Sequence, residues 1–225
     1  MLSWGVDNGR LFSNHVAGFK RLHNVDRSDK LWLPEHIEAF MKVAPLEMQR
    51  ALILALHTGQ RQGDLLKLVW TNYDGQNISL RQSKGGQRVS VRCTKALKRM
   101  LDGINRTAAV ILATTTGRAW SARYFKAQWE KASRAAGIED LHFHDLRGTA
   151  VTMLAEAGCS VPEIAAITGH TMKSVHGILE RYMARTKALA GAAIEKFENA
   201  SSTIFANQLQ TEVRTASEPI AKSLK

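Results

Sequence analysis

Apolar residues recur at helical spacing through the first third of the chain. Ile37, Phe40, Met41 and Ala44 fall three to four positions apart after Pro34, whose missing N–H suits the first residue of a helix. Pro45 restarts the chain. Leu52, Ile53, Leu54 and Leu56 make the next helix apolar nearly all round, which predicts burial, and it stops at His57-Thr58-Gly59. Arg61 opens a third, short helix, RQGDLLKLVW. The period then changes to two: NISLRQ and QRVSVRC alternate apolar and polar, with Ser83-Lys84-Gly85-Gly86 between them as a hairpin signal. With LVWTNYD ahead of it, this predicts three antiparallel strands.

Thr94 caps a helix running to about Asn105, and VILATTT is short, apolar and β-branched. Ser121 caps a helix with the stripe Phe125, Trp129 and Ala132, ending at Gly137. Three short helices follow. The first starts near His144 and buries Leu146, Ala150, Met153, Leu154 and Ala157; the second ends before Gly169-His170; the third carries Tyr182. ALAGAAIEKF is a further helical segment, and from about Ser201 the tail is polar and weakly patterned. The pattern predicts a mainly helical (α+β) domain with one small three-stranded antiparallel sheet.

Charge narrows the picture. The 225 residues hold 31 Lys and Arg against 20 Asp and Glu, a net charge of +11 with pI near 10.0, and such a surface attracts polyanions. Between Gly75 and Leu101 stand seven basic residues (Arg81, Lys84, Arg88, Arg92, Lys95, Lys98 and Arg99) and no acidic one. A solvated face normally mixes signs, so this run reads as a surface facing phosphates. Cys93 and Cys159 are far apart and outside any CxxC, which argues against a disulfide scaffold or zinc site and fits a reducing cytosol. No apolar run reaches the roughly 20 residues of a membrane span, nor is there a signal peptide. A soluble, intracellular protein of the cytoplasm is expected.

The candidate chemistry lies between His144 and Tyr182. His144 and Arg147 are three apart at a helix start, where unpaired N–H groups and the positive dipole end favour a phosphate. Arg147 can grip two phosphate oxygens with its planar fork, which Lys cannot. Each residue alone admits a structural role. Tyr182 shares an apolar stripe with Val175, Ile178 and Leu179, Lys84 could be an ordinary turn lysine, and His170 could simply follow a helix stop. His57, His142 and His176 are assigned structural or surface roles. Asp64, Asp145 and Glu163 form no carboxylate cluster of the kind two-metal nucleases need, and H-x-H at 142–144 lacks a third ligand at zinc-like spacing, so no metal or other cofactor is expected.

The order of these groups is more specific than any one of them. T-G-Q-R ends at Arg61, Lys84 sits at a hairpin tip, H-D-L-R-G-T holds His144 and Arg147, I-A-A-I-T-G-H ends at His170, and Tyr182 follows. Over residues 30–195 this set resembles the catalytic domain of the tyrosine recombinases, the phage-integrase family; type IB topoisomerases are related. The resemblance implies that Tyr182 attacks a DNA phosphate to give a 3′-phosphotyrosine and a free 5′-hydroxyl. It further implies that Arg61 and Arg147 clamp the non-bridging oxygens and that Lys84 protonates the leaving oxygen. His144 would assist proton transfer, His170 would hydrogen-bond the phosphate, and Asp64 would support the site. Arg81, Lys84, Arg88, Arg92 and Lys95 are the candidate DNA-binding residues.

The resemblance also implies a site-specific recombinase or integrase of a prophage or other mobile element, acting on duplex DNA as a tetramer, with accessory DNA-bending proteins as further partners. Residues 1–30 read as the end of a truncated or missing core-binding domain plus linker, 31–198 as the catalytic domain, and 199–225 as a tail that is flexible or packs on a neighbouring protomer. A DNA-binding remnant without productive recombination, and a topoisomerase-like activity, stay open as alternatives at this point.

Overall fold

The computed structural model describes residues 2–17, 27, 29–183 and positions 191, 194, 195, 197 and 198. A short helix α1 (Leu2–Asp7) leaves Leu2 and Trp4 exposed. Helix α2 (Pro34–Val43) has Pro34 at its first position, as the sequence predicts, and buries Phe40. Helix α3 (Leu46–Thr58) starts after Pro45 and buries Met48, Ala51, Leu52, Leu54, Ala55 and Thr58. It ends at Gly59 with φ +62, a left-handed residue that favours glycine. Helix α4 is only Gln62–Leu65, shorter than RQGDLLKLVW suggested, because the chain turns at Leu66 to bury Leu65, Leu66 and Leu68 in the core.

The sheet differs from expectation in one respect. Strands β1 (Asn77–Arg81) and β2 (Arg88–Arg92) pair antiparallel, with Arg81 opposite Arg88 and Ile78 opposite Val91. The expected third strand does not form. Trp70–Asn72 is a 3₁₀ turn, and Val69 and Tyr73 make only isolated bridges. The Asn72 side chain explains this: it accepts from Val69 N–H at 3.0 Å and donates to Ser79 C=O at 2.8 Å, taking backbone valences a ladder would need.

Helix α5 (Lys95–Asp102) is capped by the Thr94 hydroxyl and helix α6 (Ala122–Ala135) by that of Ser121. A 3₁₀ turn (Phe143–Asp145) then leads into α7 (Leu146–Glu156), α8 (Val161–Thr168) and α9 (Met172–Met183). Helix α7 packs against α3 on one side and α8 and α9 on the other. Its buried face is therefore broader than one stripe: Arg147, Thr149, Val151, Thr152 and Ala155 are inside with Leu146 and Ala150. Met153 and Ala157, expected inside, are exposed. The expected helical segment at 188–197 falls largely outside the described residues, and the tail from 199 wholly so.

Two packed regions hold the chemistry in place. In the larger, Phe40 and Trp129 lie 4.5 Å apart by ring centroid, and Phe143 stands edge-on to Trp129 at 4.7 Å and to Phe125 at 5.1 Å. Such rings bury large areas and contribute about 0.5–1.5 kcal/mol per pair beyond that burial. Phe143 thus pins the backbone beside His144. In the smaller, Val151, Ala155, Ile164, Ala165, Val175 and Leu179 join α7, α8 and α9. Among the described residues no helix is long and apolar enough to cross a membrane.

Candidate active site

The Gly59 and Gly169 turns end α3 and α8 side by side, both in the left-handed conformation. A methyl group on Gly59 would press on Thr168 Cγ2 at 2.7 Å, so glycine permits the close approach as well as the turn. Arg147 enters this junction from the first turn of α7. Its Nη1 donates to the carbonyl oxygens of both Gly59 and Thr168, the latter at 2.8 Å. A guanidinium only 5% exposed is costly unless compensated. Here two helix C-termini, each carrying partial negative charge, supply the compensation. Burial, then the charge of Arg61, lowers the Arg147 pKa to about 10, and Asp64 pulls it back up, so it stays cationic near neutrality. Its Nη2 is buried without a protein partner.

Arg61, Lys84, His144, Arg147 and His170 line one cavity of about 480 Å³, with Arg27, Lys30, Asp145, Gly148 and Ile178. Five of the six residues assigned to catalysis from the sequence are thus brought together. The sixth, Tyr182, is on α9, whose backbone is described, while its side chain lies outside the described residues. Ile178, one helical turn earlier on α9, forms part of the cavity wall.

The two histidines are neutral near pH 7. Burial lowers the pKa of His170 to about 3, with the charges of Arg147, Arg61 and His144 acting in the same direction. His144 keeps part of its ring exposed at the cavity mouth, but the surrounding walls still lower its pKa by desolvation. Asp145 opposes that shift, while Arg147, Arg61 and Lys84 add to it. Hydrogen bonding fixes the His170 tautomer. The Thr168 hydroxyl spends its proton on Ile164 C=O at 2.7 Å, so the 2.9 Å contact requires His170 Nδ1–H to donate to Thr168 Oγ1. Nε2 is then the unprotonated nitrogen.

Asp64 is 6% exposed and holds the hairpin. Its Oδ1 accepts from Ser83 N–H at 2.9 Å and Ser83 Oγ–H at 2.6 Å, beside Lys84. Lys84 itself is exposed, between Ser83 and the left-handed Gly85 and Gly86.

Arg81, Arg88, Arg92 and Lys95 are not among the residues that line the cavity and are exposed at the surface. Strand β2 buries Val89 and Val91 and exposes Arg88, Ser90 and Arg92. Arg81 faces Arg88 directly across the ladder, a like-charge pair that is unfavourable without a counter-charge. Lys98, part of the same basic run, is paired with Asp102 at 2.8 Å and so does not belong to the free basic face.

Sequence reasoning missed four residues. Arg27 donates Nη2 to Asp145 Oδ2 at 2.8 Å and Nε to Oδ1 at 3.3 Å, and both Arg27 and Lys30 reach Asp140. Only the basic character of the linker hinted at them. Gln60 and Gln82, both 2% exposed, sit behind the cavity. In the sequence they look like a turn residue and a polar strand end, with no signal of burial.

Comparison with known proteins bears on the family and the fold. The model of the phage integrase family matches residues 33–188. A shufflon-specific DNA recombinase of Escherichia coli is 36% identical over 134 residues, which cover 57% of this chain and 32% of that protein. By structure, a lambda integrase dimer bound to a COC′ core site superposes with TM-score 0.63 at 23% identity, over 78% of this chain and 55% of that one. A lambda integrase tetramer bound to a Holliday junction gives 0.59 at 23% identity, covering 75% and 55%. The chain therefore spans between a third and about half the length of these proteins.

Proposed function

Since the chain belongs to the phage integrase family, we propose that it is a tyrosine-type site-specific DNA recombinase, of a prophage or other mobile element, that cuts and rejoins strands through a 3′-phosphotyrosine. The observation that carries this reading is the convergence of Arg61, Lys84, His144, Arg147 and His170 on one cavity beside α9, the helix of Tyr182.

The chemistry follows from the groups present. A free tyrosine has a pKa of about 10, so only about one in a thousand is ionised at pH 7. The phenol needs a base and nearby cations. His144, neutral because it is desolvated, accepts the phenolic proton as the Tyr182 Oη–P bond forms. Arg61 and Arg147 face the non-bridging oxygens, and the free Nη2 of Arg147 is a donor kept for them. The P–O5′ bond breaks, Lys84 gives the departing oxygen its proton, and a 5′-hydroxyl remains. Attack by a 5′-hydroxyl from a second strand reverses each transfer, restoring a phosphodiester and the free tyrosine. Bond energy is conserved throughout, so the step balances without ATP.

Duplex DNA is the proposed partner, with the Arg81–Arg88 pair, Arg92 and Lys95 neutralising backbone phosphates. A tetramer on two sites, with accessory DNA-bending proteins, is the proposed assembly. The test is covalent capture. Incubated with a pool of nicked duplexes of randomised sequence, the chain should give a protein–DNA adduct on a denaturing gel, and Tyr182→Phe should give none. An adduct that survives Tyr182→Phe would remove Tyr182 as nucleophile; no adduct from the unaltered chain would overturn the strand-transfer reading.

A further inference from the structure

Behind the cavity, two buried amides interlock. Gln82 Nε2 donates to Gln60 Oε1 at 2.7 Å and to Thr168 C=O at 2.9 Å, while its Oε1 accepts from Arg61 Nη1 at 3.0 Å. Gln60 Nε2 in turn donates to Thr58 C=O and to Ile167 C=O, each at 3.0 Å. Arginine can only donate and a carbonyl can only accept, so these partners fix both amide orientations. Every hydrogen-bonding valence of Gln82 Nε2 is used, and its oxygen is spent on Arg61.

Gln82 and its three partners belong to three segments distant in sequence. Arg61 and Gln60 follow α3, Thr168 closes α8 two residues before His170, and Gln82 itself lies two residues before Lys84. Gln82 is not part of the cavity wall. Its contact is with Arg61, which is part of that wall. An unbraced arginine side chain loses about 2 kcal/mol of rotamer freedom when immobilised. Gln82 imposes that order before substrate arrives, the preorganisation that makes cationic stabilisation of a transition state effective. The space was built around it: a methyl group on Gly169 would come within 2.7 Å of Gln82 Cδ.

We propose that Gln82 is a positioning residue for strand transfer, aiming Arg61 across the cavity through its amide oxygen. The proposal deepens the recombinase reading and rests on it. A double-mutant cycle with Arg61 tests it, using single-turnover adduct formation on the nicked duplex pool as the rate and filter binding of the same pool as the affinity. Gln82→Met keeps the length and removes the acceptor, along with the Nε2 donors to Gln60 and Thr168, whose loss the Arg61→Ala background measures separately. With Arg61 present it should slow adduct formation about tenfold while DNA affinity stays within about twofold, the loss of one hydrogen bond to a charged group. In an Arg61→Ala background the same change should alter the rate by less than about twofold, since Gln82 has nothing left to aim.

An equal penalty in both backgrounds, or no penalty with Arg61 present, overturns the positioning role. Failure of the unaltered chain to form any adduct overturns the strand-transfer reading instead, and the two results are distinct. If Gln82→Met does not fold by circular dichroism, Gln82→Asn takes its place in the cycle. It keeps a polar amide in the pocket but withdraws it from Arg61 by about one methylene, roughly 1.5 Å.

Discussion

Arg147 holds its Nη1 2.8 Å from the main-chain oxygen of Thr168, so a side chain on α7 grips the C-terminal end of α8. The same atom grips Gly59 at the end of α3. One guanidinium nitrogen is thus a structural clamp, and the other is buried without a protein partner.

Arg147→Lys should separate these two uses. An ammonium can satisfy one or both carbonyls but cannot also present a second planar donor to a phosphate. Adduct formation should fall by about 100- to 1,000-fold, the usual cost of a lost transition-state donor, while the chain still melts cooperatively. A variant within tenfold of the parent rate would show that Nη2 does not meet the reacting phosphate.

Gly169→Ala should destabilise the fold and weaken the site together. The residue has φ +67, where a side chain costs about 1–2 kcal/mol, and its Cβ would push against Gln82. Thermal melting should show a drop of several degrees, and adduct formation should slow. Gly137→Ala, with a similar φ of +72 but open space around it, should melt lower without slowing the reaction.

The histidines give the stability a pH slope. His170, held at about 3 against an ordinary 6.5, is neutral when folded and protonated when unfolded over that interval. The unfolded chain then binds more protons, so stability is full above about pH 6.5 and is lost as pH falls towards 3. Burial shifts His57 and His144 the same way. His170→Gln should flatten the fall in melting temperature between pH 6.5 and 4.5 without abolishing it. An unchanged slope would contradict the buried neutral ring.

Anion binding should draw a proton into the same site. With Nδ1–H committed to Thr168, His170 can donate to a phosphate oxygen only if Nε2 is protonated, which a bound anion favours. Sulfate, which does not itself titrate near neutrality, is the probe. Calorimetry at pH 6 in two buffers of different ionisation enthalpy should report net proton uptake on binding, lost in His170→Gln. Equal heats in the two buffers would count against this.

Lys84→Ala should be rescued by chemistry. If the lysine's task is to protonate the 5′-oxygen, a nicked duplex with sulfur at that bridging position should restore adduct formation to within about tenfold of the parent, because a thiolate leaves without a proton. The Arg61→Ala defect should persist on the same substrate. Rescue of both, or of neither, would contradict the separate roles.

Much of this was legible in the chain. Helix starts at Pro34 and after Ser121, the hairpin at Ser83–Gly86 and the ordered set from Arg61 to Tyr182 all rest on local signals: a proline, a hydroxyl cap, glycines that tolerate a left-handed turn, and side-chain types in order. Such signals need only near neighbours to act, so they survive without knowledge of the fold. Where a neighbour distant in the final structure decided the matter, local reading failed. LVWTNYD had strand composition, yet Asn72 turned it into a 3₁₀ turn by bonding to Ser79. Met153 had the spacing of a core residue, yet the packing of α7 against α3, α8 and α9 turned it outward.

The sequence by itself therefore determined the types and order of the candidate site residues, because a tyrosine, two arginines, a lysine and two histidines in that order are the groups proposed for phosphoryl transfer to a tyrosine. Only the tertiary structure decided that the charge of Arg147 is compensated by two helix ends, that His170 is kept neutral, and that Gln82 and Arg27 belong to the same neighbourhood. Those outcomes depend on burial and on which carbonyls and cations the fold brings within about 3 Å, and hydrogen bonds and desolvation act over that distance in space, whatever the separation along the chain.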